Sequence, residues 1–145
     1  MSEDDVAKLV EEGVIRHAES DLREARTELE KPRVHLETAA SVARRDPAAA
    51  YAIAYDAARK AISAHLRASG FRVGKGYGAH ARIGVYAAAA LHDHGIGEQF
   101  GRYDELRRLR NQAEYDSLLI DEADVGDALD QASAIVTAVE RDLCD

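Results

Sequence analysis

The sequence predicts an all-α fold, an antiparallel bundle of four to five main helices. Three observations support this class. The 145 residues include two prolines and no tryptophan, which is unlike a loop-rich β domain, and 46% of the residues are apolar. Much of the apolar content is alanine, the strongest helix former. Apolar residues also recur at intervals of three and four, the spacing of one helix face. We predict a single domain over 1–145, with a short helix and loop in 1–19 and the bundle core in 20–145.

The N-terminal region is predicted to hold one short helix. It spans about residues 3–12 and ends at Gly13, because glycine commonly closes helices. Residues 13–19 are predicted to form a loop. Ser20 follows, and serine is a residue type that caps the start of the next helix.

The second helix is predicted over residues 21–45, with Pro32 inside it. Proline usually kinks or ends a helix because it lacks an N–H group. The apolar stripe nevertheless keeps its phase across Pro32, which favours one kinked helix over two helices. This stripe consists of Leu22, Ala25, Leu29, Leu36, Ala40 and Ala43.

The third helix has the clearest start signal, the pair Asp46-Pro47. Aspartate caps a helix N-terminus, and proline suits the first helical position. The helix is predicted to reach about Ser69, where Gly70 closes it. Its apolar stripe consists of Tyr51, Tyr55, Ala58, Ile62 and Leu66. Polar residues lie towards another side, namely Asp56, Arg59, Lys60, Ser63 and Arg67.

The C-terminal half alternates glycine-bearing links with helices. We predict a loop over 71–78, a helix over 79–93, a link over 94–101, a helix over 102–115 and a last helix from residue 121 or 122 to 143. The last helix carries a regular apolar seam of Val125, Ala128, Leu129, Ala132, Val136, Val139 and Leu143.

The net charge of −8 is unevenly distributed. Residues 32–115 carry thirteen basic and eight acidic side chains, whereas 116–145 carry one and nine. A uniformly acidic protein repels nucleic acid, but a basic middle region can still offer a local phosphate-binding face. An ordinary variation in helix-surface charge explains the asymmetry equally well.

The densest polar cluster covers residues 107–115, Arg-Arg-Leu-Arg-Asn-Gln-Ala-Glu-Tyr. Three guanidinium groups in four residues repel one another unless an anion or an acidic side chain faces them. Glu114 is placed to pair with Arg110 at i,i+4. We expect Asn111 to hydrogen-bond across to a neighbouring helix, and the ring of Tyr115 to pack at the helix end.

This run resembles the signature of HEPN domains, a superfamily of small helical bundles in prokaryotic conflict systems. Their motif is an arginine, often followed by asparagine, and then a histidine four to six residues later, often with a tyrosine nearby. The segment 55–61, Tyr-Asp-Ala-Ala-Arg-Lys-Ala, also resembles the central helix of these domains. The resemblance covers roughly residues 34–140.

The resemblance implies metal-independent RNA cleavage, with arginine and histidine from two protomers meeting at a dimer interface. Arg108 or Arg110 matches the motif arginine, Asn111 the asparagine and Tyr115 the tyrosine. The motif histidine falls at Glu114, or at Ala113 under the tighter spacing. Since neither is histidine, the proton carrier of the motif is missing. We therefore expect a catalytically degenerate protein, and whether it is an enzyme stays open, with the sequence leaning against it.

Other polar motifs are weaker. His92 and His94 flank Asp93 and invite a metal interpretation, but no distant Cys/His pattern completes a ligand set. The glycines of 74–78 do not form a Walker loop. We expect no metal site and no cofactor, and we expect His65 to be packed and hydrogen-bonded beside the apolar stripe.

Three functions stay open. The first is a binding or regulatory module of a toxin–antitoxin or related defence system, which binds RNA or a partner protein through an arginine-rich groove. The candidate binding residues are Arg59, Lys60, Arg107, Arg108, Arg110, Asn111 and Tyr115. The second is an active ribonuclease that uses Glu114, His92 or His94. The third is a helical scaffold without a nucleic-acid role.

The expected partners follow from the apolar surface and from the resemblance. Ile53, Ala57 and Ala64 lie beside the stripe of the third helix, and extra apolar surface on a small bundle favours a homodimer. The resemblance implies a cognate partner protein of the nucleotidyltransferase type. The acidic N-terminus and the absence of a long apolar stretch favour a cytoplasmic protein without membrane contact.

Overall fold

The computed structural model describes residues 2–74, 76, 78–91, 97–116 and 119–144. The elements are α1 (Ser2–Glu11), β1 (Arg16–His17), α2 (Leu22–Glu28), α3 (Glu30–Val42), α4 (Pro47–Ala68), β2 (Phe71–Arg72), α5 (Ala79–Ala90), α6 (Gly97–Ala113) and α7 (Glu122–Cys144). The predicted all-α class is confirmed. The five longer helices, α3 to α7, have between 12 and 23 residues.

Helix α4 lies at the centre of the fold and packs against α2, α3, α5, α6 and α7. The carboxylate of Asp46 accepts a hydrogen bond from the backbone N–H of Ala49 at 3.1 Å, which confirms the predicted cap. Gly70, at φ +84°, ends the helical region as predicted. All five residues of the predicted apolar stripe are buried.

Alanines make α4 a helix that is buried on several sides. Ala57 and Ala64 have no exposed surface, and Ile53 is partly buried. Small side chains let neighbouring helices approach closely, so the chain covers this surface with its own helices. The apolar residues of this helix on which the dimer prediction depended are therefore mostly covered by helices of the same chain.

The prediction of one kinked helix through Pro32 is wrong, because two helices meet at Leu29. Leu29 keeps a right-handed helical conformation, and its N–H donates to the carbonyl of Ala25 at 3.2 Å. Pro32 has no N–H with which to reach the carbonyl of Glu28, the residue that ends α2. The helical phase therefore crosses the junction although the hydrogen-bond ladder does not.

The buried stripe of α2 and α3 also differs from the predicted one. Ala25, Leu29 and Leu36 are buried as predicted, and Pro32 and Ala39 are buried with them. Leu22 and Ala40, which the prediction placed in the stripe, are exposed, and Ala43 is partly buried.

Two predicted loops contain a short antiparallel ladder. Arg16 pairs with Arg72, and His17 pairs with Phe71. The N–H of Ala18 continues the contact by donating to the carbonyl of Gly70 at 2.9 Å. A ladder of two residues has no detectable periodicity, so the sequence does not reveal it.

Helices α5 and α6 differ from the prediction at their facing ends. Helix α6 begins at Gly97, inside the predicted link over 94–101, and α5 ends at Ala90. The two helices touch where a Cβ atom built on Gly84 would lie 2.6 Å from Cδ1 of Tyr103. Only a glycine leaves room for that ring, so this contact positions Tyr103, which is fully buried.

Helix α7 confirms the predicted apolar seam, with Leu129 alone only partly buried. Polar contacts add to the apolar packing. Arg33 of α3 forms an ion pair with Glu140 and donates to Oγ1 of Thr137 at 2.9 Å. Arg26 of α2 donates to the carbonyl of Leu143 at 2.7 Å. Within the part of the chain that the structure describes, no helix is both long and apolar enough to cross a membrane.

Candidate functional site

The arginines of α6 are held by a carboxylate one turn before them. Arg107 donates through Nε and Nη2 to Oδ1 of Asp104, at 2.9 and 2.8 Å. Arg108 contacts the other oxygen, Oδ2, through Nε at 2.9 Å. One carboxylate thus bridges two guanidinium groups and offsets their mutual repulsion.

Arg110 occupies the middle of the site. Its Nη1 lies 2.7 Å from Oε1 of Glu114, so the predicted i,i+4 pair is confirmed. The same nitrogen lies 3.4 Å from Oδ1 of Asn111. The guanidinium carbon is 5.9 Å from the centroid of the Tyr55 ring, which is within the range of a cation–π contact.

Helix α4 supplies the second side of the site. Tyr55 is fully buried, and one turn further along α4 the guanidinium of Arg59 lies 3.4 Å from Oδ1 of Asp56. Arg59 is 22% exposed at its side chain, and Arg107 and Arg110 are 21% and 29% exposed. These three partly buried guanidinium groups come from two helices, and the positive charge of each acts on the Tyr55 hydroxyl.

Helix α5 brings a histidine to the same place. Nδ1 of His80 lies 3.1 Å from the hydroxyl of Tyr55, which in turn lies 3.0 Å from the hydroxyl of Tyr103. The Tyr103 hydroxyl donates to the backbone carbonyl of His80 at 3.1 Å. These three bonds close a ring that joins α4, α5 and α6.

The surroundings of His80, Tyr55 and Tyr103 keep all three side chains uncharged near neutral pH. Burial lowers the pKa of His80, and the positive charges of Arg59 and Arg110 lower it further, against an opposing effect of Asp56. Burial also raises the pKa of Tyr55 and, more strongly, that of Tyr103. The imidazole is therefore neutral and both phenols stay protonated.

We call this set the arginine face. It consists of Arg59, Arg107 and Arg110 with Tyr55, Tyr103 and His80. Each of its arginines has one carboxylate partner on its own helix. The carboxylates of these pairs are 36–55% exposed, so a phosphate, which accepts several hydrogen bonds from guanidinium groups, can compete with them for the arginines.

Some predicted binding residues lie outside the arginine face. Lys60 points away from it, and its Nζ lies 2.9 Å from Nε2 of His35 on α3. Arg108 contacts Oδ2 of Asp104, and its side chain is 71% exposed. Asn111 is exposed, and its side-chain contact with Arg110 is on its own helix rather than across to a neighbour.

The expectation that Tyr115 packs at the helix end is wrong. Its side chain is 93% exposed. Helix α6 ends at Ala113, and the N–H groups of Tyr115 and Asp116 both donate to the carbonyl of Gln112 at 3.1 Å. The chain turns there, and the turn directs the ring into solvent.

Residues 11–142 match the sequence model of the HEPN domain. The match covers nearly the whole chain. The chain belongs to the HEPN domain family. No curated protein and no solved structure shows significant similarity to it.

Within this HEPN domain, the position of the motif histidine carries Glu114, which is paired with Arg110. The carboxylate of Glu114 accepts from the guanidinium group of Arg110 and supplies no imidazole at this position. The imidazole of the arginine face comes instead from His80, on a different helix. Sequence reasoning missed His80, because 25 residues separate it from Tyr55. The spacing of Asp104 before Arg107 and Arg108 was a detectable i,i+3 and i,i+4 signal.

A cavity bordered by described residues lies away from the arginine face. Its volume is about 610 Å³, and Val6, His65, Tyr86 and Asp142 are among its lining residues. His65 is buried, and its Nδ1 lies 2.8 Å from the Tyr86 hydroxyl while Nε2 contacts the carboxylate of Asp142. The prediction of a packed, hydrogen-bonded His65 is confirmed.

The metal interpretation of His92 and His94 falls on residues outside the described part of the chain. Among the residues that the structure describes, no group of three His, Cys, Asp or Glu side chains is arranged to hold a metal ion.

Proposed function

We propose that this HEPN domain is an RNA-binding module whose arginine face binds phosphate groups. The observation that carries the proposal is the convergence of Arg59, Arg107 and Arg110, from two helices, on the region of Tyr55 and His80. Guanidinium groups bind phosphate oxygens in a bidentate manner. Partly buried arginines bind such an anion more strongly than freely solvated ones, because surrounding protein reduces screening.

The net acidity of the chain argues for a local rather than a general attraction to RNA. With a net charge of −8, the protein as a whole repels a polyanion. Binding then depends on a few placed contacts, and removal of one should have a large effect.

We further propose that the module works as a homodimer in a toxin–antitoxin or related defence setting, with a partner protein of the nucleotidyltransferase type. The family membership supports this setting. Light scattering tests the dimer, because a stable 15.8 kDa monomer at micromolar concentration would contradict it.

The catalytic role is proposed to be degenerate. Proton transfer in metal-independent RNA cleavage needs one group that removes the 2′-hydroxyl proton and one that protonates the leaving oxygen. His80, with its lowered pKa, is suited to accept a proton but not to donate one at neutral pH. The raised pKa values of Tyr55 and Tyr103 make them poor acids. The presence of His80, a candidate proton acceptor beside the arginines, favours the alternative function of an active ribonuclease.

The binding proposal is tested with a labelled single-stranded RNA and a pair of variants of equal charge. Arg110→Ala removes a guanidinium from the arginine face, and Arg23→Ala removes an exposed one from α2. We expect Arg110→Ala to weaken binding about tenfold or more and to reduce the slope of log affinity against log salt by about one.

Arg23→Ala should leave RNA affinity close to that of the wild type. Equal effects of the two variants would show that binding follows net charge alone. RNA binding that does not exceed background, or that lacks a salt dependence, would favour the scaffold function instead.

A further inference from the structure

The three hydrogen bonds that join His80, Tyr55 and Tyr103 require three protons. A backbone carbonyl can only accept, so the Tyr103 hydroxyl uses its single proton on the carbonyl of His80. The bond between the two phenols then needs the proton of Tyr55. Tyr55 has no further proton to give to His80, so its oxygen must accept from that ring.

This inventory determines the tautomer of the neutral imidazole. His80 carries its proton on Nδ1 and donates it to the Tyr55 oxygen, which leaves Nε2 with a lone pair. No other placement of the protons supplies all three bonds. The pKa shifts agree with it, since both phenols stay protonated and the imidazole stays neutral.

The His80 residue is only partly buried. None of the described residues forms a hydrogen bond with its Nε2. Among the side chains that the structure describes, Oε1 of Gln131 is the one buried polar atom without a partner. A partly buried imidazole whose Nε2 has no partner among the described residues offers that lone pair to a ligand.

His80 and Arg110 both lie against the ring of Tyr55. The His80 ring centroid and the Arg110 guanidinium carbon are each 5.9 Å from the centroid of the same Tyr55 ring. Charged and titratable groups face the imidazole from both helices packed against it, namely Tyr55, Asp56 and Arg59 on α4 and Tyr103, Arg107 and Arg110 on α6. The neutral imidazole is therefore a hydrogen-bond acceptor on which the positive charges of Arg59, Arg107 and Arg110 act.

We propose that Nε2 of His80 accepts a hydrogen bond from a ribose 2′-hydroxyl of RNA whose phosphate is bound by the arginine face. This inference rests on the proposed RNA binding and adds its selectivity. The 2′-hydroxyl is the donor that distinguishes RNA from DNA, and in a ribonucleotide it lies next to a phosphate. The arginines supply donors only, so a hydroxyl donor beside the phosphate needs a separate acceptor, which His80 provides.

The tautomer is tested first, on the protein without RNA. Nitrogen-15 NMR of the histidine side chains should give His80 a protonated Nδ1 and an unprotonated Nε2 at neutral pH. Tyr55→Phe removes the acceptor oxygen and should abolish this preference. A wild-type His80 that carries its proton on Nε2 would overturn the proposal.

Selectivity is tested with single-stranded RNA and DNA of one sequence. The wild type should bind the RNA roughly 2- to 12-fold more tightly, the value of one net hydrogen bond. His80→Asn keeps an N–H for Tyr55 but has no atom at the Nε2 position, so the ratio of RNA affinity to DNA affinity should fall to about one. His80→Gln places an amide oxygen further out and should restore part of the ratio. Arg110→Ala should weaken the binding of both RNA and DNA and leave the ratio of the two affinities unchanged.

The outcomes separate the two proposals. Equal wild-type affinity for RNA and DNA, or an unchanged ratio in His80→Asn, overturns the role of His80 while RNA binding stands. If the wild type binds neither nucleic acid, both proposals fail.

Discussion

The hydroxyl of Tyr103 donates to the backbone carbonyl of His80 at 3.1 Å and lies 3.0 Å from the hydroxyl of Tyr55. Through these contacts a fully buried ring of α6 connects a histidine on α5 with the central helix α4. The same Tyr55 ring contacts the guanidinium of Arg110. The packing of the core and the geometry of the arginine face therefore depend on the same side chains.

The contact between Gly84 and Tyr103 should not tolerate a methyl group. A Cβ at Gly84 would lie 2.6 Å from the Tyr103 ring, which is fully buried and cannot move freely. Overpacking costs about 1–3 kcal/mol, whereas the gain in helix propensity from Gly to Ala is about 1 kcal/mol. We expect Gly84→Ala to lower the free energy of unfolding by up to about 2 kcal/mol in urea denaturation.

Gly126→Ala provides the matched control, because a Cβ at Gly126 of α7 meets nothing within 4 Å. That variant should be stabilised by roughly 0.5–1 kcal/mol through propensity alone. Equal stability of the two variants would show that the Tyr103 ring adapts to the added methyl group.

Truncation to alanine should hardly change the free energy of unfolding at Tyr115 but should lower it strongly at Tyr103. Tyr115 is 93% exposed, so Tyr115→Ala should change the free energy of unfolding by no more than about 0.5 kcal/mol. Tyr103 has no exposed surface, and Tyr103→Ala should cost about 3–5 kcal/mol. Paired urea titrations measure both. A large loss for Tyr115→Ala would place its ring in a contact, for instance with a second copy of the chain.

Stability should fall as the pH is lowered below about 6.5, the ordinary pKa of histidine. The pKa values of His80 and His35 are lowered in the folded state, mainly by burial. The unfolded chain then binds more protons than the folded one as pH falls through 6.5, so folding becomes less favourable. In His80→Asn one of these groups is absent, and its denaturation midpoint should depend less on pH between 8 and 5.5. An identical pH dependence in that variant would contradict the assigned environment of His80.

RNA cleavage by the wild type should not exceed that of Arg110→Ala, at neutral pH with a chelator. Within the described part of the arginine face His80 is the single imidazole, and its lowered pKa makes it a poor proton donor at neutral pH. Glu114→His places a second imidazole beside Arg110 and should raise cleavage, since general acid–base catalysis contributes about 10²–10⁴-fold. Robust wild-type cleavage that Arg110→Ala abolishes would establish the ribonuclease alternative.

Local signals in the sequence predict the helices well but not the joints between them. Asp46 and Gly70 bound α4 because capping depends on neighbouring residues. The apolar phase across Pro32 was detectable, yet the break at Leu29 depends on one hydrogen bond that the phase does not report. The two-residue ladder between β1 and β2 pairs segments that lie far apart in the chain.

The candidate site shows the same division. The pair of Arg110 and Glu114 follows from i,i+4 spacing on one helix. His80 of α5 meets Tyr55 of α4 in a tertiary contact that has no local sequence pattern. Lys60 and Arg59 are adjacent in sequence but point to different neighbours, since successive residues on a helix face different directions.

The most direct test of RNA binding at the arginine face is an NMR titration of the isotope-labelled protein with single-stranded RNA. We predict the largest shifts at the side chains of Arg59, Arg107, Arg110 and His80, and no shift at Arg23. Shifts that are confined to residues outside the arginine face, or spread evenly over the basic side chains, would contradict it.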